Sequence, residues 1–325
     1  MEFLEMVQMK CIKGLLAAGL LLCSVAAKAQ FDVDFTNYWA LNGYYNPAYA
    51  GQVDKLNICG TYSLQLAGFT NAPKTMYFGA DMPLKFLNQK HGVGVGFMNE
   101  TIGLLTNQRF FAQYSFKLDL WGGKLGIGVQ LGGLSVGFDP EDLDLGEGEN
   151  AQDDPAFPSA EANGTAFDMD LGLFYSHKLF YAGLSVAHLL APKVLIGETN
   201  EMKVDPVYYL TGGCNIKTKN PLITIQPSVM LRTDMLMFKA DLTARFLYTW
   251  NEKVYYAGVS YSPANSVALL IGMQLIKGLG VGYSYNMFTS KIGALNGSHD
   301  IYVNYSMDMN FMGKSKNKHK SIRIL

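Results

Sequence analysis

The chain has 325 residues, with 26 Lys and Arg against 27 Asp and Glu, a formal net charge of −1. Charged residues make up only 16% and aromatics 13%, and there are 34 glycines; soluble domains carry about 25% charge and about 7% glycine. The aromatic content excludes a disordered chain, the even charge balance gives no global basic field for nucleic acid, and four cysteines without a C-x-x-C pair exclude a disulfide scaffold.

The first element in chain order is an export signal over residues 1–29. Lys10 and Lys13 form a basic start, Gly14 to Ala27 is a largely apolar run of 14 residues, and Ala27-Lys28-Ala29 is an A-x-A cleavage site that leaves Gln30 as the mature terminus. Fourteen residues fall short of the roughly 20 that a membrane helix needs. Met1 and Met9 are both candidate starts, because Glu2 and Glu5 suit no basic leader. Leu20-Leu21-Leu22-Cys23 is a poor lipoprotein signal, since a large Leu precedes the Cys. Cleavage leaves Cys59 and Cys214, expected as free, inert thiols in strands.

Residues 30–52 follow as an aromatic segment, with Phe31, Phe35, Tyr38, Trp39, Tyr44, Tyr45 and Tyr49. Such a segment does not float in water; lodging it inside a barrel as a hatch would bury it. After it, period-two alternation covers nearly the whole chain and predicts fourteen strands: 55–66, 75–83, 92–103, 105–119, 123–139, 166–177, 179–190, 205–217, 222–233, 236–249, 253–262, 266–277, 279–288 and 299–310. No later apolar run approaches 18 residues, most predicted strands reach the 9–11 that a tilted membrane strand needs, and an even number suits a bacterial barrel. Charge-poor strands rich in Gly and Tyr, at a mean hydropathy of +0.08, read the same way. With the N-terminus periplasmic, the three longest connections, 140–165, 191–204 and 289–298, all face outward, while tight turns at Lys178, Asn251-Glu252 and Gly278 face the periplasm. The expected fold is therefore an all-β outer-membrane barrel over 53–311, with a basic periplasmic tail over 312–325.

Candidate site residues come from this pattern. In Phe238 to Thr249, Lys239, Asp241 and Arg245 share one face, expected to be the lumen; Arg or Lys facing lipid at mid-depth costs about 2–4 kcal/mol. Asn46, Pro47, Ala48 and Tyr49 form a candidate hatch motif, with Pro47 followed by small Ala48 suiting a compact turn. Nine carboxylates and no Lys or Arg lie between Asp139 and Glu161. Among them Asp142, Asp144, Glu147, Glu149, Asp153 and Asp154 form a candidate external acidic loop without EF-hand spacing. Lys314 to Arg323 holds five cations, a flexible tail able to touch phospholipid or an acidic partner.

Other motifs carry little chemistry. Gly133-Leu134-Ser135-Val136-Gly137 fits G-x-S-x-G, but a nucleophile elbow needs a strand-to-helix turn and no helix pattern follows. Gly92, Gly94 and Gly96 precede no helix terminus that could hold an anion, so they read as small lumen-facing residues.

A set of motifs, in order, carries a resemblance: Tyr44-Tyr45-Asn46-Pro47-Ala48-Tyr49-Ala50-Gly51, Gln65-Leu66-Ala67-Gly68-Phe69, Ala72-Pro73-Lys74-Thr75, Asp153-Asp154-Pro155-Ala156-Phe157, Phe180 to Leu190, Gly282-Tyr283-Ser284-Tyr285 and Gly297-Ser298-His299-Asp300-Ile301. Over essentially the whole mature chain it resembles the PorP/SprF outer-membrane proteins of the type IX secretion and gliding motility machinery of Bacteroidota. Leu66 stands where that family often has Trp, and Asp300 where it often has Glu. The resemblance implies a barrel that assists export or surface attachment of adhesin-like cargo bearing C-terminal sorting domains. Its implied partners are that cargo, other secretion components in periplasm and outer membrane, and outer-membrane lipid, with no nucleic acid. It implies no enzyme activity, and no cofactor or metal is expected. The alternative is a transporter of hydrophobic small molecules, because Asn46-Pro47-Ala48 also resembles the fatty-acid-transporter barrels, fourteen-stranded with an N-terminal hatch.

Overall fold

The computed structural model describes residues 32–139, 162–197, 200–263, 266–289 and 297–309. Fourteen strands form its wall: β1 Leu56–Leu64, β2 Lys74–Phe86, β3 Gln89–Ile102, β4 Leu105–Leu120, β5 Gly123–Phe138, β6 Ala162–Ser176 and β7 Phe180–Ala187. They continue with β8 Val207–Cys214 (extended by Ile216–Lys217), β9 Ile223–Thr233, β10 Phe238–Trp250, β11 Lys253–Ser262, β12 Ser266–Ile276, β13 Leu279–Phe288 and β14 Ser298–Met307. Each pairs antiparallel with its chain neighbours, and β1 closes on β14 from Leu56 against Met307 to Leu64 against His299. Closure leaves no sheet edge, so no strand presents a row of unpaired amides to lipid.

The fourteen predicted strands are all present, and most differ only at their ends. β2 runs on to Phe86 and β3 starts at Gln89, because Leu87 and Asn88 form a two-residue turn with φ of +49° and +59°. Paired positive φ matches the twist of a hairpin, and Leu there disguises the turn in the sequence. Trp121-Gly122 and Asn251-Glu252 turn in the same way. β6 begins at Ala162, because its ladder with β5 reaches Phe138. β7 stops at Ala187, where His188 takes φ +54°. The connection after β7, expected to be a loop, contains a hairpin of Lys193–Ile196 and Asn200–Lys203. Its Val194 and Ile196 pack on Leu134 and Val136 of β5.

The turns at Leu87-Asn88, Trp121-Gly122, Asn251-Glu252 and Lys277-Gly278 share one rim with the start of β1 and the end of β14; the three longest connections share the other, together with the two-residue turn at Gly103-Leu104. Long outside and short inside orients the barrel in an outer membrane. Outward positions are apolar, among them Phe78, Val95, Ile127, Leu184, Leu269, Ile271 and Ile301. Trp121 and Trp250 mark the periplasmic rim, and Phe97 stacked on Phe110 at 4.4 Å lies towards the outer one, the interface positions that aromatic rings favour. The main core lies inside the wall. Val33, Phe35, Tyr38, Trp39, Leu41, Tyr44 and Tyr45 are buried against inward residues such as Tyr77, Phe111, Tyr209, Met230, Tyr256 and Tyr302.

Candidate functional site in the lumen

Residues 32–52 occupy the lumen as three short turns, Tyr38–Ala40, Asn42–Tyr45 and Pro47–Tyr49. Asn46 sets the last of them. Its Oδ1 accepts from Ala48 N at 2.9 Å, and Pro47 supplies a preset φ in the first turn. The other end of the same amide donates to the wall, from Nδ2 to Leu173 O at 2.9 Å and to Leu184 O at 3.3 Å.

A trough of wall glycines receives this turn. A Cβ on Gly92 would lie 1.8 Å from Ala50 O, one on Gly128 2.3 Å from Ala48 N, and one on Gly126 2.5 Å from Ala48 O. Gly172 and Gly183 leave equivalent space for the Asn46 side chain. Alternating glycines in β3 and β5 therefore keep the inner face low enough for a backbone to lie against it. The carbonyls that arrive there are met: Lys117 Nζ donates to Ala48 O at 2.6 Å, Ser115 Oγ to Ala50 O at 2.7 Å, and Gln113 Nε2 to Gly43 O at 2.6 Å. Gly51 closes the motif at φ +64°, a conformation that costs glycine little.

The upper limb is held by charge. Lys239, Asp241 and Arg245 lie on the inner face of β10, with Asp241 and Arg245 buried. Arg232 of β9 pairs with Asp241 at 2.8 Å and with Asp34 of the lumen segment, and Lys239 also pairs with Asp34. Arg245 takes another partner: its guanidinium sits 3.4 Å from the centre of the Trp39 ring, which Tyr256 and Tyr302 meet edge-on at 5.3 and 5.4 Å. A desolvated cation over an indole face gains about 2 kcal/mol or more. Asp32 accepts from Tyr44 Oη at 3.0 Å and is bonded by Tyr209 of β8.

A second charged cluster, not singled out from sequence, lies across the lumen. Arg109 of β4 meets Asp168 at 2.7 Å and Asp170 at 2.6 Å, both on β6, and His188 Nδ1 lies 2.9 Å from Asp168. Gln130 Nε2 donates to Asp170 Oδ2, and Gln113 Nε2 to Gln130 Oε1 at 2.7 Å, which links the cluster to Gly43 of the lumen segment. Asp168 and Asp170 are two residues apart in an alternating strand, a signal for one shared face; Arg109 as their partner is not visible locally.

Ser135 lies within strand β5 on the outward side, while His188 and Asp168 face the interior, so the Gly-x-Ser-x-Gly segment is not a nucleophile elbow. Cys59 on β1 and Cys214 on β8 are not joined in a disulfide. Asp142, Asp144, Glu147, Glu149, Asp153 and Asp154 lie outside the described residues, as do residues 1–31 and the basic tail from residue 310.

The model of one protein family, type IX secretion system membrane protein PorP/SprF, matches residues 27–305. The chain belongs to the PorP/SprF family. The match runs from before the lumen segment to the last strand, so the wall and its occupant are both features of this PorP/SprF protein. It is an outer-membrane barrel component of type IX secretion, a system in which its partners are other parts of the machinery. No curated protein matches it in sequence. Among solved structures it is similar to a FadL homologue of Pseudomonas aeruginosa at 10% identity and a TM-score of 0.47, over 81% of this chain and 92% of that one. It is similar also to the monoaromatic hydrocarbon channel CymD (11%, TM-score 0.46, 86% and 94%) and to the P. putida toluene transporter TodX (10%, TM-score 0.45, 81% and 92%).

Proposed function

We propose that this PorP/SprF barrel serves type IX secretion by holding protein rather than by conducting it, assisting export or surface attachment of adhesin-like cargo with a C-terminal sorting domain. The observation that supports this reading is the occupied lumen. Residues 32–52 bond to strands around the circumference, among them β4, β6, β7, β9, β10, β13 and β14. The cavity beside Trp39 and Tyr302 measures about 60 Å³, room for a few waters. A transporter of hydrophobic molecules needs a continuous apolar tunnel, whereas this lumen holds Trp39 packed on Tyr256 and Tyr302 and Tyr45 packed on Tyr209. The wall is committed to lipid outside and to its own segment inside, so the outer connections are the surfaces left for a protein partner.

The acidic connection between β5 and β6 is the longest of these, and we assign cargo contact to it. Deleting residues 142–152 should leave the barrel folded and heat-modifiable on a gel, while surface retention of one or a few large secreted proteins falls several-fold. Unchanged display in that strain, with uptake of fatty acids by the purified barrel, would replace this reading with the transporter.

A further inference from the structure

The lumen segment runs through the barrel in one direction. Asp32 and Asp34 meet Tyr209, Arg232 and Lys239, which stand at the strand ends nearest the long connections. Thr36 N donates to Asp300 Oδ2 at 3.0 Å close to the same rim. Trp39 lies at mid-depth against Arg245. Ala48 and Ala50 meet Lys117 and Ser115, near the periplasmic end of β4. Lys55 then pairs with Asp308 at 2.9 Å on the periplasmic rim, one residue before β1 starts. The chain therefore descends from the outer mouth to the periplasmic rim before it enters the wall.

We infer that this protein presents the amino end of its lumen segment at the outer mouth, opposite the periplasmic rim where Lys55 meets Asp308. A partner acting at the outer mouth thus meets the free end of the lumen segment, whereas the periplasmic end is continuous with β1. The inference holds whichever partner binds, so its failure is separate from that of the cargo reading.

The test is topological, on intact cells. A short flexible epitope inserted between Gln30 and Phe31 should bind antibody on intact cells, at least tenfold above the untagged protein. The same epitope after Leu325 should be seen only once the outer membrane is permeabilised. An N-terminal epitope seen only after permeabilisation overturns the inference. If it is seen in neither state, Phe31→Cys with a small membrane-impermeant maleimide decides: labelling of intact cells supports the outer position, and its absence overturns it.

Discussion

Gly92→Ala combined with Gly128→Ala should unseat the hatch motif while the wall persists, raising protease cleavage within residues 32–52 at least tenfold. The added methyl groups fall 1.8 Å from Ala50 O and 2.3 Å from Ala48 N, distances at which something must move. Both contacts are to backbone, so no side chain can rotate away. Overpacking of this kind costs about 1–3 kcal/mol per site. The wall strands have hydrogen-bonded neighbours on both sides along their length, whereas residues 46–51 are held by a handful of bonds to the wall; the segment is the part that yields. Gly133→Ala provides the control, because the methyl would point outward with its nearest neighbour, Ala166 O, at 4.0 Å. Barrels of the double variant should keep their compact migration before heating. Protease resistance equal to that of Gly133→Ala would mean that the trough does not seat the motif.

Arg109→Leu should destabilise the barrel by about 3–5 kcal/mol, the cost of removing one partner from a buried ion network. Arg109 meets Asp170 at 2.6 and 2.7 Å through both carboxylate oxygens and Asp168 at 2.7 Å, and all three side chains are nearly inaccessible. Without it two carboxylates face each other in the lumen wall, with the His188 ring 2.9 Å from Asp168. The temperature at which the barrel loses compact migration should fall well below that of Lys90→Ala, which removes only the exposed pair with Asp119 at 3.8 Å. Adding Asp168→Asn and Asp170→Asn to Arg109→Leu should recover part of the loss, because the uncompensated charge is then gone. A triple variant no more stable than Arg109→Leu alone would show that the loss comes from packing rather than from stranded charge.

Strand count, approximate bounds and the sorting of long and short connections were legible in the sequence because they depend on local periodicity. Alternation with period two shows through wherever one face meets lipid, and it placed Lys239, Asp241 and Arg245 on one side of β10 before any neighbour was known. Local turn chemistry was less legible: Leu87 and Trp121 occupy positive-φ positions that usually advertise themselves with Gly or Asn. The aromatic load of residues 31–49 and the Asn46-Pro47-Ala48 turn marked a segment that avoids water, without stating its direction or its partners.

Those were decided by closure of the barrel. Asp34 and Arg232 are 198 residues apart, Asn46 and Leu184 138, and Arg109 and Asp170 61. They meet because the register of fourteen ladders brings their strands to the same depth around one interior. The glycines of β3 and β5 read from sequence only as small lumen-facing residues; the structure makes them a trough, since a missing Cβ acquires meaning when a second backbone lies against it. Periodicity specifies which face a side chain takes. What it meets on that face depends on long-range register and on what fills the enclosed space, and neither is written in any short stretch of this chain.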